Sequence, residues 1–215
     1  MILLEHVSKV IKGNTVINDV SIELKPGEVT GLKGVNGSGK TMLLRLISGL
    51  ICPTAGAIYI NGERLGKDIT FPNSIGILIE NPAFLDSYSG FQNLKILASI
   101  KGLITDEDIC TAIERVGLDC KDRKKYRKYS LGMKQRWGIS AAIMEHPEII
   151  LLDEPTNALD SEGVELVKKI VMQEKTRGAV VVIACHDADI LRELTDEVYL
   201  VEEGKVSAYA GQTYH

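Results

Sequence analysis

The chain has 215 residues, 45% of them hydrophobic and 25% charged, and its formal net charge is −4. These values are ordinary for a globular protein, and the acidic balance argues against a nucleic-acid partner and against an anionic membrane surface. The first residues, MILLEHVSKV, lack a signal-peptide pattern, and no segment approaches the run of about 18 apolar residues that a membrane helix needs. We therefore expect a soluble, cytoplasmic protein that reaches a membrane only through a partner.

The first third of the chain is rich in predicted strands. VSIEL and EVTGLKG have strand-forming composition and are separated by the turn dipeptide Pro26-Gly27. GVNGSGKTMLLRLISGL follows, and its apolar residues recur at helical spacing until Pro53 prevents continuation. AIYI then runs into Asn61-Gly62, a dipeptide that predicts a β-hairpin. These patterns predict a strand-rich opening that contains one strand, loop and helix unit.

From about residue 88 to residue 146 the pattern becomes helical, and Thr105 with Asp108 forms a predicted capping box. Strands and helices alternate after that. EIILLD and AVVVIAC are apolar at nearly every position, which is typical of strands covered on both faces, and EVYLVEEGKVSAYA predicts a closing hairpin. The predicted fold is α/β, with a mostly parallel central sheet, an antiparallel β subdomain near the N-terminus and a helical insert.

The four cysteines are scattered along the chain at positions 52, 110, 120 and 185. They form no CxxC pair and show no metal-ligand spacing, so we expect free thiols in a reducing compartment.

Residues 34–41, GVNGSGKT, fit the pattern GxxxxGK[ST]. They follow a predicted strand and open a predicted helix, which is the context in which such a loop cradles phosphates with its backbone amides. Lys40 can reach the β and γ phosphates, and the Thr41 hydroxyl can ligate magnesium. The alternative, a glycine-rich turn with an ordinary lysine, is disfavoured by the additional Gly37 and by the flanking elements.

Asp153 and Glu154 end the buried strand EIILLD. Two unit charges about 4 Å apart repel by about 4 kcal/mol at an effective dielectric constant near 20, so such a pair needs a cation or a proton nearby. We assign Asp153 to the metal and Glu154 to the activation of an attacking water. A solvated acidic turn is the alternative. His186 follows the strand AVVVIAC, which we expect beside the first one, so His186 is a candidate contact to a γ-phosphate or water.

Residues 129–136, YSLGMKQR, carry a serine and a glycine at a predicted helix start, which is a second candidate anion site. With these elements in order, the chain resembles an ATP-binding cassette (ABC) ATPase over essentially its whole length. GVNGSGKT is similar to the Walker A loop, IILLDEP to Walker B, NALD at 157–160 to the D-loop, and the region of His186 to the switch histidine. YSLGMKQR is similar to the LSGGQ signature, with Leu131 and Met133 replacing a glycine and a glutamine.

The resemblance implies that ATP and Mg²⁺ are bound, and that two cassettes associate head to tail. The signature of each, here Ser130, Leu131 and Gly132, then contacts the γ-phosphate held by the other, and Asp160 belongs to the D-loop. We expect a homodimer that docks on integral membrane transporter subunits. The nucleotide-binding residues that the resemblance implies are Gly34, Asn36, Gly37, Ser38, Gly39, Lys40, Thr41, Met42 and Ile11.

The resemblance also implies one domain over residues 1–215. Its nucleotide-binding core spans about 1–85 and 147–215, and its helical subdomain, with the signature, spans about 86–146. We expect the membrane subunits to dock on the segment from roughly 80 to 130.

Two positions depart from the family pattern. Ile11 stands where an aromatic residue commonly stacks on adenine. Glu80 stands where the glutamine of the Q-loop usually contacts magnesium, so we expect Glu80 to be a magnesium ligand with Thr41 and Asp153. A carboxylate binds that ion more strongly than an amide does, which should alter metal affinity and coupling to the membrane partner. Glu80 and the SLGMKQR signature are together similar to cassettes that export, or confer immunity to, peptide antibiotics of bacitracin and lantibiotic type. The alternative interpretation of Glu80 is an ordinary surface loop residue.

Three other functions are alternatives to a transport ATPase. A soluble ABC-type ATPase could act as a scaffold or remodelling factor, and a cassette with a dead site could act as a binding module, although Lys40, Thr41, Asp153, Glu154 and His186 are all present. A GTPase lacks support because no NKxD-like guanine motif occurs. The basic run KDRKKYRK favours a solvated face over a nucleic-acid site, given the acidic charge of the whole chain.

Overall fold

The computed structural model describes residues 1–80 and 82–209, and Ala210, the last residue of the predicted closing hairpin, lies outside them. The strands are β1 (Ile2–Ile11), β2 (Asn14–Leu24), β3 (Val29–Lys33), β4 (Ala55–Ile60), β5 (Glu63–Arg64), β6 (Ile75–Leu78), β7 (Ile149–Asp153), β8 (Val180–Cys185), β9 (Glu197–Glu202) and β10 (Lys205–Ala208). The α-helices are α1 (Lys40–Ile47), α2 (Gly90–Lys101), α3 (Asp106–Arg115), α4 (Leu131–Ile143), α5 (Ser161–Thr176) and α6 (Ala188–Leu194), and a 3-10 turn covers Tyr126–Lys128.

The strands form two sheets. A four-stranded antiparallel sheet has the order β2-β1-β4-β5, and a six-stranded sheet has the order β10-β9-β3-β8-β7-β6. All pairs of the larger sheet are parallel except β10 with β9. The predicted mixture of an antiparallel unit and a mostly parallel central sheet is confirmed, as are the hairpins at Asn61-Gly62 and at Glu203-Gly204.

The central sheet is buried on both faces, which explains its uninterrupted apolar strands. In β7, Ile150 and Leu152 point into one hydrophobic core, shared with α4, α5 and α6. Ile149 and Leu151 point into the other core, shared with α1 and the antiparallel sheet. Side chains of a strand alternate between its faces, so only a strand covered on both sides requires apolar residues at every position.

Two helices of the helical insert, α2 and α3, have capping boxes at their N-termini. Thr105 and Asp108 form the predicted capping box of α3, and Ser89 with Gln92 forms a second one at α2. The basic run at 121–128 is mostly exposed, as expected for a solvated face, although Tyr126 is buried within it.

The prediction of four free thiols is wrong for Cys110 and Cys120, which form a disulfide. The chain reverses at Gly117, in the left-handed region with φ +72°, and this turn brings the two Cα atoms to 5.1 Å. The two cysteines are ten residues apart and form no CxxC pattern, so their spacing did not predict the turn that brings them together. Cys52 and Cys185 are free, as expected.

Helix α4 lies unusually close to β6, because glycines stand at the contact. A Cβ on Gly76 would sit 1.7 Å from the carbonyl oxygen of Ala142, and a Cβ on Gly138 would sit 2.7 Å from Leu78 Cδ1. The close approach fixes the helix that starts at the signature against the strand that leads to Glu80.

The longest described helix, α5, has 16 residues. Within residues 1–80 and 82–209, no helix is both long and apolar enough to cross a bilayer.

We expect Gly76→Ala to lower the free energy of unfolding by about 2 kcal/mol or more, because a backbone carbonyl cannot rotate away from the added methyl group. Urea unfolding followed by circular dichroism measures the change. Ile77→Val, on the exposed side of the same strand, is the control and should cost less than about 0.5 kcal/mol. Equal costs for the two variants would contradict the close contact.

Candidate active site

An open cleft of about 430 Å³ lies at the carboxyl end of the central sheet, between the phosphate loop and β7. This is the edge at which parallel α/β sheets hold their ligands. Seven of the predicted nucleotide-binding residues line it together with both acidic residues. The lining consists of Thr15, Val16, Val35, Asn36, Gly37, Ser38, Gly39, Lys40, Thr41, Met42, Asp153, Glu154, Glu203 and Gly204.

The phosphate loop is shaped by glycines at two tight places. A Cβ on Gly34 would lie 2.4 Å from the Val201 carbonyl oxygen and 2.5 Å from Ser38 Oγ, so only glycine fits. Gly39 precedes α1 at φ +116° and offers no side chain to cap the helix. The first amides of α1 are therefore left for an anion, and the helix dipole favours negative charge there.

Lys40 is held under the loop. Its side chain is only 5% exposed, and its Nζ donates to the carbonyl oxygens of Gly34 at 2.6 Å and Val35 at 3.2 Å. The same Nζ lies 3.8 Å from Glu154 Oε1. The ammonium is thus fixed between the phosphate loop and the acidic strand end, where a bound phosphate would share it.

Two buried polar atoms of this cleft have no hydrogen-bond partner within the described residues, namely Ser38 Oγ and Glu154 Oε1. Burying such atoms unpaired costs free energy, so native structures usually provide them with a ligand, an ion or a water. Both lie where the predicted nucleotide would bring phosphate oxygens, a metal ion and an attacking water.

Asp153 ends β7 opposite the start of α1. The Thr41 hydroxyl donates to Asp153 Oδ2 over 2.6 Å, which joins two of the three predicted metal ligands. Burial raises the pKa of the Asp153 carboxyl above its usual value, and the neighbouring charge of Glu154 raises it further, although the bond from Thr41 acts in the opposite direction. A hard divalent cation would relieve this cost, because carboxylate and hydroxyl oxygens are the ligands it prefers.

The second acidic residue contacts the histidine, because their strands are neighbours. β8 pairs with β7 in parallel, and His186 Nδ1 lies 2.8 Å from Glu154 Oε2. The Glu154 side chain, 17% exposed, lines the cleft, whereas that of His186, 56% exposed, contacts it only through Glu154. Cys185 beside them is buried, and burial raises the pKa of its thiol to about 11, so the thiol stays protonated at neutral pH.

One residue that positions this acid escaped the sequence analysis. Gln135 on α4 is 6% exposed, and its Nε2 donates to the backbone carbonyl of Glu154 over 2.9 Å. The side chain therefore ties the signature helix to the turn that carries the acid. The sequence did not indicate a role for Gln135, because its partner, Glu154, is 19 residues further along the chain.

The signature residues lie in a separate cavity of about 600 Å³, which shares no lining residue with the phosphate cleft. Ser130 caps α4 by accepting from the Met133 amide at 3.3 Å, and Leu131 is 61% exposed. A Cβ on Gly132 would lie 2.6 Å from the Ala158 carbonyl oxygen, so the signature packs directly on the D-loop. Asp160 accepts from the amide of Gly163 and from the Arg136 side chain at 2.9 Å.

The two departures from the family pattern are placed differently. Glu80 lies just beyond β6, beside the end of β7, and its Oε1 accepts from Arg45 Nη2 at 2.6 Å. Ile11 ends β1 opposite Asn14 and does not line the cleft. The neighbouring strand contributes Thr15 and Val16 to the lining instead, and the β9–β10 turn contributes Glu203 and Gly204. Neither Thr15 with Val16 nor Glu203 with Gly204 belongs to a motif found in the sequence.

Comparisons with known proteins agree with these features. A family model described as ABC transporter matches residues 17–157. The uncharacterized ABC transporter ATP-binding protein YybJ of Bacillus subtilis (strain 168) is 49% identical over 206 residues, or 96% of this chain and 94% of YybJ. The bacitracin transport ATP-binding protein BcrA of Enterococcus faecalis is 35% identical over 202 residues, or 93% of this chain and 66% of BcrA.

Among solved structures, the dimeric structure of MJ0796, a bacterial ABC transporter cassette, superimposes with a TM-score of 0.88 at 26% identity. The match covers 99% of this chain and all of that one. The span matched by the family model contains the phosphate loop, the signature and the strand ending at Asp153. These matches confirm the family and the fold that the motifs indicated. The chain therefore belongs to the ABC transporter family, as one of its ATP-hydrolysing ATP-binding cassettes.

Proposed function

We propose that this chain binds ATP with Mg²⁺ in the cleft at β7 and hydrolyses it, with Glu154 as the general base, to power an ABC transporter. The observation that carries the assignment is the Glu154 carboxylate. One oxygen contacts His186, and the other is buried, 3.8 Å from Lys40, with no hydrogen-bond partner among residues 1–80 and 82–209. A carboxylate held in this way can accept a proton from a water placed beside the γ-phosphate.

Each group around the cleft has a separate proposed role in ATP binding or hydrolysis. The loop amides and Lys40 hold the β and γ phosphates and offset the charge that develops during transfer. Thr41 and Asp153 would hold Mg²⁺, which neutralises phosphate charge when bound. Glu80, the third predicted ligand, is held by Arg45 through Oε1. His186 holds Glu154 through Oε2, so it orients the base.

The separate signature cavity supports a head-to-tail dimer. Ser130 and Gly132 lie at a helix start that shares no lining residue with the chain's own phosphate cleft. A second copy would bring its γ-phosphate to that start, so ATP stabilises the dimer and hydrolysis releases it. A symmetric homodimer makes the two composite sites identical.

An apolar groove, lined among others by Leu50, Ile77, Ile79, Phe84 and Leu97, supports a docking surface for partner proteins. We propose that integral membrane subunits dock here, which places the cassette on the cytoplasmic face of the membrane.

The relationship to BcrA, together with Glu80, favours export of a peptide antibiotic or a similar amphipathic compound. The scaffold alternative is disfavoured, because the relatives are transporter ATP-binding proteins. The whole chain acts as one domain, and no nucleic-acid partner is proposed.

Glu154→Gln is expected to lower ATP turnover at least about a hundredfold while ATP binding persists, because the amide keeps the shape but accepts no proton. Steady-state phosphate release and equilibrium binding of a fluorescent ATP analogue measure the two effects. Glu107→Gln, at the exposed first turn of α3, is the control with the same change of charge. Turnover close to that of the control would exclude Glu154 as the base.

Ser130→Glu, made in the Glu154→Gln protein, is expected to weaken the ATP-dependent dimer at least about tenfold, because it sets a negative charge against the partner's γ-phosphate. Binding of ATP to the monomer should persist, since Ser130 does not line its own chain's cleft. Sedimentation velocity with Mg-ATP measures the dimer. Ser99→Glu on the exposed side of α2 is the matched control, and an unchanged dimer in the Ser130 variant would contradict head-to-tail pairing.

Asp153→Asn is expected to stabilise the nucleotide-free protein at neutral pH and to abolish the gain in ATP affinity that Mg²⁺ provides. The pKa of Asp153 is raised by burial, so its ionisation lowers the stability of the folded state as the pH rises. The stability difference between variant and wild type should therefore be absent at low pH and grow as Asp153 ionises. Urea unfolding at several pH values tests this, with the exposed Asp189→Asn as control. A variant less stable than wild type at neutral pH would contradict it.

A further inference from the structure

Arg45 and Glu80 form an ion pair on the metal side of the cleft, with 2.6 Å between Nη2 and Oε1. Arg45 lies one helical turn after Thr41, so it leaves α1 on the same face as the hydroxyl that contacts Asp153. Glu80 follows β6, which pairs with β7, and β7 ends at Asp153. The pair therefore lies between the two elements that carry the candidate metal ligands.

Glu80 is close enough to Asp153 for its charge, like that of Glu154, to act on the Asp153 carboxyl. Burial is the main cause that raises the pKa of Asp153, and the negative charges of Glu154 and Glu80 add to it. A freely oriented third carboxylate would repel the phosphates and compete with Asp153 for a hard cation. The Arg45 side chain is 34% exposed and that of Glu80 60%, so solvent screens much of the pair, and the guanidinium offsets part of the Glu80 charge.

We propose that Arg45 is a positioning residue that holds Glu80 in an ion pair and keeps its carboxylate away from the metal position at Thr41 and Asp153. The inference rests on the proposed function, because it concerns Mg²⁺ bound together with a nucleotide. Arg45 thereby permits a carboxylate at residue 80, while Thr41 and Asp153 remain the ligands of the metal.

The test is a double-mutant cycle that measures the Mg²⁺ concentration needed for half-maximal binding of a fluorescent, non-hydrolysable ATP analogue by the full chain. Glu80→Gln should change that concentration less than twofold in the wild-type protein, where Arg45 already holds Glu80. In the Arg45→Met protein the freed carboxylate can reach the metal, and Glu80→Gln should raise the concentration at least about threefold. Arg45→Lys keeps the positive charge and should behave like wild type.

Equal effects of Glu80→Gln in the two backgrounds overturn the inference. Arg192→Met, which breaks the exposed pair with Asp189 on α6, controls for the loss of one positive charge and should leave the Mg²⁺ requirement unchanged. If thermal melting shows that Arg45→Met does not fold, Arg45→Gln replaces it in the cycle with the same expected result. Absence of saturable nucleotide binding by wild type would contradict the proposed function and the inference together, whereas normal binding with a flat cycle contradicts only the inference.

Discussion

Repulsion between adjacent carboxylates at the end of β7 is the constraint on which the rest of the site depends. Asp153 and Glu154 lie side by side, mostly buried, at a strand end where solvent screens them poorly. The fold offsets this charge from several directions. Thr41 donates to one carboxylate, while Lys40 and His186 approach the other from the phosphate loop and from β8. In the proposed function, Mg²⁺ bound with the nucleotide supplies further positive charge, which links the stability of this edge to ligand binding.

The same edge is connected to the signature through packed, directional contacts. Gly76 and Gly138 let α4 lie directly on β6, and Gln135 reaches from α4 to the backbone of Glu154. Gly132 packs on the D-loop at Ala158. In the proposed dimer, the start of α4 faces the partner's γ-phosphate while its middle holds the turn that carries this chain's own base. In that dimer, α4 would connect the partner's nucleotide directly to the turn that carries this chain's Glu154.

Glu80 shows how a departure from a family pattern can be accommodated by one compensating residue. A glutamine at that position would bring no charge, whereas a carboxylate adds to a site that already carries two. Arg45, 2.6 Å away on α1, supplies the opposite charge. Because the pair is partly exposed, its electrostatic effect on the metal position is modest. Arg45 also lines the apolar groove.

The sequence by itself determined the family, the α/β fold and the residues of the phosphate loop and acidic strand end, because those signals are contiguous. A glycine-rich loop, two doubly covered strands and a capping box are each encoded within about ten residues. Only the tertiary structure decided the contacts between distant segments. The Cys110–Cys120 disulfide depends on a chain reversal, the Gln135 and Arg45 contacts depend on packing across elements, and the cleft wall at Thr15 and Val16 depends on strand register. Such contacts follow from how elements pack in space, which no local pattern records.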